Sequence, residues 1–281
     1  MAGHNADMRW WFALIVALAA LPAQAQLYRP SDHLEPTRPW MGDAPAEIAV
    51  RTSDGLALKG LHWPGGAELP VFVFFQGRSG DRFDAARYVE PLARAGYGVV
   101  VASYRGYGGN PGKPDEAGLQ RDGAAFMAFA RASRPGAEVY AIGHSLGAAV
   151  ALHLAAEGAV DRVITLGAFP DLRSVAPKIT RAFLRDRFDN LQAAARLRRP
   201  AVLIQGRYDD VVSMAQGQQL LGAAPMGSVL LVLDKQDHRP DMAAIVAILP
   251  AILAFAGDRI EPLKAEAVAR GFAMFRKTPG P

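Results

Sequence analysis

The sequence lacks cysteine altogether, which excludes disulfide bonds, thiolate metal sites and a cysteine nucleophile. Histidine is also scarce, with six residues in the chain, and no pair of them has the spacing of zinc ligands. No glycine-rich phosphate-binding loop follows the first predicted core strand, which argues against a dinucleotide. Basic residues are not interleaved with aromatic ones, which argues against a nucleic-acid partner. We therefore expect no metal, no other cofactor and no nucleic acid.

Long hydrophobic runs are few. One covers residues 10–21, follows a basic residue and leads into an A-x-A sequence at residues 23–25. This arrangement is typical of a secretory signal peptide, here residues 1–25, which is cut before Gln26 and directs export to the periplasm or the medium. An uncleaved N-terminal membrane anchor is the alternative, although a membrane span needs about 20 apolar residues.

What is present is typical of a globular protein: 281 residues, of which 51% are hydrophobic and 21% charged. Continuous apolar runs alternate with helical patterns, and VFVFF at residues 71–75 has the composition of a strand buried on both faces. This alternation predicts an α/β protein with a mostly parallel central sheet and helices on both faces. Predicted strands cover residues 47–52, 56–63, 71–75, 99–103, 139–142, 162–166, 201–205 and 228–233, and predicted helices cover 84–95, 118–132, 146–157, 213–221 and a stretch from 241.

We place this alternation in a domain at residues 46–257. Three segments depart from it. Residues 26–45 hold four prolines and are predicted to be an extended arm. Residues 171–199 have helical character and carry eight basic and three acidic residues, a net charge of +5. This charge suggests anionic head groups or a membrane surface as neighbours, or else a solvated basic face. Residues 258–281 are predicted to be a basic amphipathic tail that docks on the domain or, alternatively, lies on a membrane surface.

A G-x-S-x-G motif, GHSLG at residues 143–147, lies between a predicted strand and a predicted helix. Such a turn would hold the Ser145 hydroxyl above the sheet, and the helix N-terminus would offer backbone N–H groups to a developing oxyanion. A plain tight turn is the other interpretation. Ser145 is therefore the candidate nucleophile.

A serine nucleophile needs a base and an acid that orients the base. Only His238 follows a late predicted strand in a loop, as the chain order Ser, Asp, His requires. Asp209 and Asp210 both follow the preceding predicted strand; Asp209 is preferred, Asp210 is the alternative, and either could cap a helix. Asp234 and Asp237 belong to the loop of His238 itself and are less suitable.

The loop directly after residues 71–75 is the expected source of a second oxyanion donor. The backbone N–H groups of Arg78 and Leu146 form the natural pair. The side chain of Arg78 has three possible roles at this stage: it meets an anionic group of the substrate, it is solvated, or it pairs with Asp81.

Residues 103–119 read SYRGYGGNPGKPDEAGL. Together with the GHSLG motif, they resemble the α/β-hydrolase superfamily over about residues 47–256. Within that superfamily the chain is similar to the small-lid, bud-emergence-type serine hydrolases, a branch that includes membrane-associated lipid hydrolases and depalmitoylases.

The resemblance implies an α/β-hydrolase fold, a triad of Ser145, Asp209 and His238, and a short helical lid at residues 171–199. It implies a serine hydrolase that cleaves carboxylic ester or thioester bonds of a small-molecule or lipid-like acyl substrate. An aminopeptidase-like or amidase activity is one alternative. A non-catalytic binding protein is another, supported by Gln76, which stands where the family usually has histidine.

Overall fold

The computed structural model describes residues 27–31, 33–255 and 259–278. These residues form a nine-stranded central sheet with helices on both faces, and a short two-stranded pairing beside it. The strands are β1 (Arg29–Pro30), β2 (Ala46–Arg51), β3 (Ala57–Trp63), β4 (Val71–Phe75), β5 (Ser79–Gly80), β6 (Gly98–Ala102), β7 (Val139–His144), β8 (Arg162–Leu166), β9 (Val202–Gly206), β10 (Val229–Leu233) and β11 (Ala273–Arg276). The helices are α1 (Arg82–Arg94), α2 (Glu116–Ser133), α3 (Leu146–Ala156), α4 (Leu172–Val175), α5 (Asn190–Ala195), α6 (Met214–Ala223), α7 (Met242–Ala254) and α8 (Glu261–Ala269), with a 3₁₀ turn at Arg181–Phe183.

The strands of the central sheet lie in the order β11-β10-β9-β8-β7-β4-β6-β3-β2. The six strands from β10 to β6 in this order are parallel to one another. The outer strands β2, β3 and β11 join through antiparallel pairs. The predicted α/β class with a mostly parallel sheet is therefore confirmed. In such a sheet the loops at the carboxyl ends of the strands meet at one edge, where ligands bind.

The core has two layers because successive side chains of a strand point to opposite faces of the sheet. Val73 of β4 belongs to a cluster with Phe126 of α2, whereas Phe74 belongs to a second cluster with Val89 of α1 and Ile248 of α7. All five residues of β4 are buried. This two-sided burial explains why β4 has no polar residue.

Helix α1 begins after the loop that follows β4, and its first residue is fixed by a side-chain cap. The carboxylate of Asp81 accepts hydrogen bonds from the backbone N–H groups of Phe83 (2.7 Å) and Asp84 (3.1 Å). These groups have no partner within a helix, so the cap satisfies donors that would otherwise be unpaired. The cap sets the length of the loop between β4 and α1, which borders the candidate site.

The hairpin predicted at the start of the domain is formed by β2 and β3. Its turn contains Asp54 and Gly55, and Gly55 has a φ of 91°, a conformation that glycine adopts without strain. Asp54 also binds Arg105 of the RGYG segment (2.8 Å), and Arg105 binds Asp122 of α2 (2.8 Å). This ion-pair network fixes the loop after β6 between the hairpin and α2.

The C-terminal segment, predicted as a basic amphipathic tail that docks on the domain, forms α8 and then β11, which pairs antiparallel with β10 at the edge of the sheet. Gly271, with a φ of 71°, follows the end of α8 and turns the chain back. Leu263 is buried against the second core cluster. The domain therefore extends beyond residue 257, and the apolar residues near helical spacing are shared between a helix and a strand.

The predicted signal peptide at residues 1–25 lies outside the described residues and stays a prediction. The described part of the chain contains no helix long and apolar enough to cross a membrane. Residues 171–199 contain α4, α5 and the 3₁₀ turn, joined by irregular segments. They lie over the carboxyl edge of the sheet, where α4 borders the candidate site.

Candidate active site

Ser145 occupies a sharp turn between β7 and α3. Its backbone has φ 52° and ψ −114°, a strained conformation for a residue with a side chain. A hydrogen bond from Ser145 N to Leu166 O (2.8 Å) ties this turn to β8. A Cβ at Gly147 would lie 2.0 Å from the backbone oxygen of Phe75. Glycine at position 147 is therefore what allows α3 to start so close to β4.

Three of the predicted residues form one hydrogen-bonded chain. His238 Nε2 lies 2.9 Å from Ser145 Oγ, and His238 Nδ1 lies 3.0 and 2.9 Å from the two carboxylate oxygens of Asp209. The Asp209 side chain is only 1% exposed, and that of His238 is 17% exposed. Asp209 Oδ1 also accepts the N–H groups of Val211 (2.9 Å) and Val212 (2.7 Å). Two backbone N–H groups thus fix the carboxylate that faces the imidazole.

The other aspartates considered from the sequence lie elsewhere. Asp210 is exposed. Asp234 binds the side chain of Arg207 (2.8 Å), and Asp237 accepts the N–H of Arg239 (2.8 Å). Within the described residues none of the three makes a hydrogen bond to the imidazole of His238. The geometry therefore favours Asp209 as the orienting acid.

His144, the second residue of the motif, supports His238 in a way that the sequence did not indicate. Its Nε2 lies 2.9 Å from the backbone oxygen of His238, and the centres of the two rings are 5.1 Å apart. A carbonyl oxygen only accepts, so His144 must donate from Nε2. Burial and the adjacent charge of His238 lower the pKa of His144 from 6.5 to about 3. His144 is thus a neutral donor that holds the backbone of His238.

The predicted oxyanion donors lie where the sequence places them, on the loop after β4 and at the start of α3. Arg78 and Leu146 both line the same cavity as Ser145. Their backbone N–H groups have no hydrogen-bond partner in the part of the chain that the structure describes. The carbonyl oxygen of Arg78 accepts from the hydroxyl of Tyr107 (2.7 Å) and the N–H of Arg29 (2.7 Å). These two hydrogen bonds therefore hold the loop in place.

Gln76, the departure from the family pattern, lies beneath this loop. The residue is 4% exposed, and its side-chain amide makes no hydrogen bond within the described residues. Its backbone oxygen accepts from the hydroxyl of Tyr104 (3.0 Å). The loop thus keeps a backbone anchor at this position whichever side chain it carries.

Ser145 and His238 open into a cavity of about 1350 Å³. One wall comes from residues 171–199, through Leu172, Val175 and Leu184 among others. A second wall comes from the N-terminal arm and was not predicted, because an extended segment has no periodic pattern that reveals which side it buries. The arm residues on the cavity are Leu27, Arg29, Thr37, Arg38 and Met41.

One group of side chains in the described residues has the composition of a metal site: His33, Asp81 and Asp84, whose ligand atoms lie within 4.8 Å of one another. Both carboxylate oxygens of Asp81 already have hydrogen-bond partners. One of its oxygens caps α1, and the other accepts from Ser31 Oγ and lies 3.0 Å from His33 Nδ1. These bonds account for the group without an ion, so we assign it a structural role.

Known proteins resemble this chain in sequence. A family model described as the alpha/beta hydrolase fold matches residues 70–187. An uncharacterized protein of Mycobacterium tuberculosis is 30% identical over 239 residues, which cover 82% of this chain and 85% of the relative. The lysophosphatidylserine lipase ABHD12 of Gallus gallus is 35% identical over 91 residues, which cover 32% of this chain and 24% of that protein.

Solved structures resemble it in fold. The esterase domain of a Rhodothermus marinus protein superposes with a TM-score of 0.58 at 22% sequence identity, and the match covers 74% of this chain and 97% of that one. Identity this low shows the fold alone. The sequence match, the relatives and the order of the strands agree with the resemblance seen in the motifs. The chain belongs to the α/β-hydrolase superfamily.

Proposed function

We propose that this hydrolase cleaves carboxylic esters, thioesters included, through an acyl-enzyme on Ser145. The observation that carries the proposal is the hydrogen-bonded chain from Ser145 Oγ through His238 to Asp209. It joins a nucleophile, a base and an orienting carboxylate in the order that acyl transfer requires.

In the first half-reaction, His238 Nε2 removes the proton of Ser145 while Oγ attacks the acyl carbon. The negative charge that forms on the acyl oxygen is stabilised by the backbone N–H groups of Arg78 and Leu146. His238 then gives its proton to the departing alcohol or thiol. In the second half-reaction, water attacks the acyl-enzyme with His238 again as base, and the acid is released. Asp209 keeps the Nδ1 proton in place and stabilises the imidazolium in both steps.

The walls of the cavity support an acyl substrate. The cavity that contains Ser145 is also lined by apolar residues of the segment 171–199, among them Leu172, Val175 and Leu184. An apolar wall of this kind suits a hydrocarbon chain. The known proteins named above as an esterase and a lipase agree with ester chemistry. Export through the signal peptide, and an anionic membrane surface as neighbour of the basic segment, are further proposals that rest on the sequence.

The direct test is labelling of the full chain with a fluorophosphonate, which reacts only with an activated serine. The wild type should be labelled and should hydrolyse short-chain esters, whereas S145A should do neither and should unfold at the same temperature as the wild type. S53A, which changes an exposed serine in the β2–β3 turn, is the matched control and should be labelled normally. Labelling of S145A at the wild-type rate would refute the assignment of the nucleophile.

A further inference from the structure

The cavity at Ser145 is lined by more arginines than acidic residues. Five arginines line it, against three aspartates. Two of the arginines come from the arm, one from the loop after β4, one from α1, and one directly follows His238. They are Arg29, Arg38, Arg78, Arg87 and Arg239.

Arg78 carries an unpaired charge beside the proposed oxyanion donors. Its side chain is exposed and forms no ion pair within the described residues. The sequence left open a pair with Asp81, and the structure excludes it because Asp81 is bound to Ser31 and His33. Desolvation and the charge of Arg29 lower the pKa of the Arg78 guanidinium. A second positive charge therefore lies close to the first.

Backbone contacts hold Arg29 next to Arg78. Strand β1 of the arm pairs with β5, so that Arg29 lies opposite Ser79. The N–H of Arg29 donates to the carbonyl oxygen of Arg78 (2.7 Å). Both residues line the cavity. The two arginines are thus held next to each other by the fold.

Arg239 is a second unpaired guanidinium, next to the proposed base. It lies over the ring of Tyr88, 4.4 Å from the ring centre, and forms no ion pair in the described part of the chain. The Tyr88 hydroxyl donates to Pro240 O (2.6 Å), which holds the ring under the guanidinium. Arg239 therefore has a defined position on the cavity wall rather than a free one.

We propose that Arg78 and Arg239, with Arg29 of the arm, form a subsite for a carboxylate or phosphate group carried by the ester substrate. The inference rests on the proposed ester hydrolysis. Guanidinium groups bind both anions through paired N–H donors.

Two matched substrate pairs locate the anion on the substrate. In the acyl pair, p-nitrophenyl hexanoate is compared with mono-p-nitrophenyl adipate, in which a carboxylate replaces the terminal methyl group. In the alcohol pair, 1-hexanoylglycerol is compared with 1-hexanoylglycerol 3-phosphate. We expect the wild type to prefer the anionic member of one pair by about tenfold in kcat/KM, the size of one charge-assisted hydrogen bond. The preference should shrink between 0.05 and 0.5 M salt, because salt screens exposed charges.

The variants R78Q and R239Q should each reduce this preference at least threefold, whatever they do to the neutral rate. R199Q is the control, because Arg199 is an exposed arginine near Asp161 at the opposite edge of the sheet. It should keep the wild-type preference. A wild type that hydrolyses the neutral esters but prefers neither anion would overturn the subsite alone. A wild type that hydrolyses none of the four would instead refute the proposed ester hydrolysis.

Discussion

Replacing Asp209 with asparagine changes one atom and tests the proposed role of this carboxylate. Oδ1 of Asp209 accepts two backbone N–H groups, from Val211 and Val212. An amide nitrogen cannot accept them, so the oxygen of the new side chain must stay at the Oδ1 position. The amide nitrogen then takes the Oδ2 position, 2.9 Å from His238 Nδ1.

The consequence is a change in the proton on the imidazole. The oxygen kept at the Oδ1 position, 3.0 Å from Nδ1, already accepts two backbone N–H groups, so the amide N–H at 2.9 Å favours an Nδ1 that accepts. This leaves the proton of the neutral ring on Nε2. His238 would then donate to Ser145 Oγ and could not remove its proton. We expect kcat to fall by about 10⁴-fold, as for the loss of the correct tautomer in other triads. This corresponds to about 5 kcal/mol in activation free energy.

The assay is the hydrolysis of p-nitrophenyl hexanoate together with the rate of fluorophosphonate labelling. D209N should lower kcat and the labelling rate together, with little change in KM or in the unfolding temperature. D210N is the matched variant, since Asp210 is exposed and does not contact the imidazole, and it should cost far less. A D209N enzyme that keeps a tenth of the activity, or a larger loss in D210N, would contradict the reasoning.

Two further predictions concern the residues around the nucleophile. G147A should lower the free energy of unfolding by about 3 kcal/mol or more and abolish activity, since its Cβ would lie 2.0 Å from a backbone oxygen. The measurement is thermal unfolding, with G222A as the control. A Cβ at position 222 would have nothing within 4 Å, so G222A should be neutral or stabilising. A stable G147A protein would show that β4 and α3 can move apart. Because the folded protein lowers the pKa of His144 to about 3 from 6.5, the unfolded chain binds a proton that the folded chain excludes. The contribution of His144 to the free energy of unfolding should be complete above pH 6.5 and should decline toward pH 3. At pH 5 it should be about 2 kcal/mol smaller than at neutral pH. H144Q should show a correspondingly flatter dependence in denaturant titrations, and an unchanged slope would argue against a buried neutral imidazole.

The sheet was predictable because its strands have a simple signature. β4 and β8 are observed at the residues that the apolar runs predict, since a strand buried on both faces contains little else. The turn at Ser145 was predictable because the glycines at positions 143 and 147 allow the close approach of strand and helix that such a turn requires. The chain order then placed His238 and Asp209 on the two loops that the structure brings to Ser145.

The parts that could not be predicted are those set by contacts between distant segments. The partner of His144 is a backbone oxygen 94 residues away, and no spacing in the sequence encodes it. β11 resembled part of a helix because Phe272 and Phe275 are three residues apart, whereas the structure places Phe272 before β11 and pairs Phe275 with Leu230 of β10. The position of Arg29 on the cavity depends on the pairing of β1 with β5, two strands of two residues each.

The attachment of the arm also bears on how this protein can be shortened. A chain trimmed to begin at β2 would keep the whole central sheet together with Ser145 and His238. It would lose the hydrogen bonds from Arg29 and Ser31 to the loop after β4, and with them one wall of the cavity. Precise placement of donors depends on such outer supports. We therefore expect trimming to lower activity through the lost cavity wall, and stability as well, because Leu27 and Tyr28 of the arm are buried in the first core cluster.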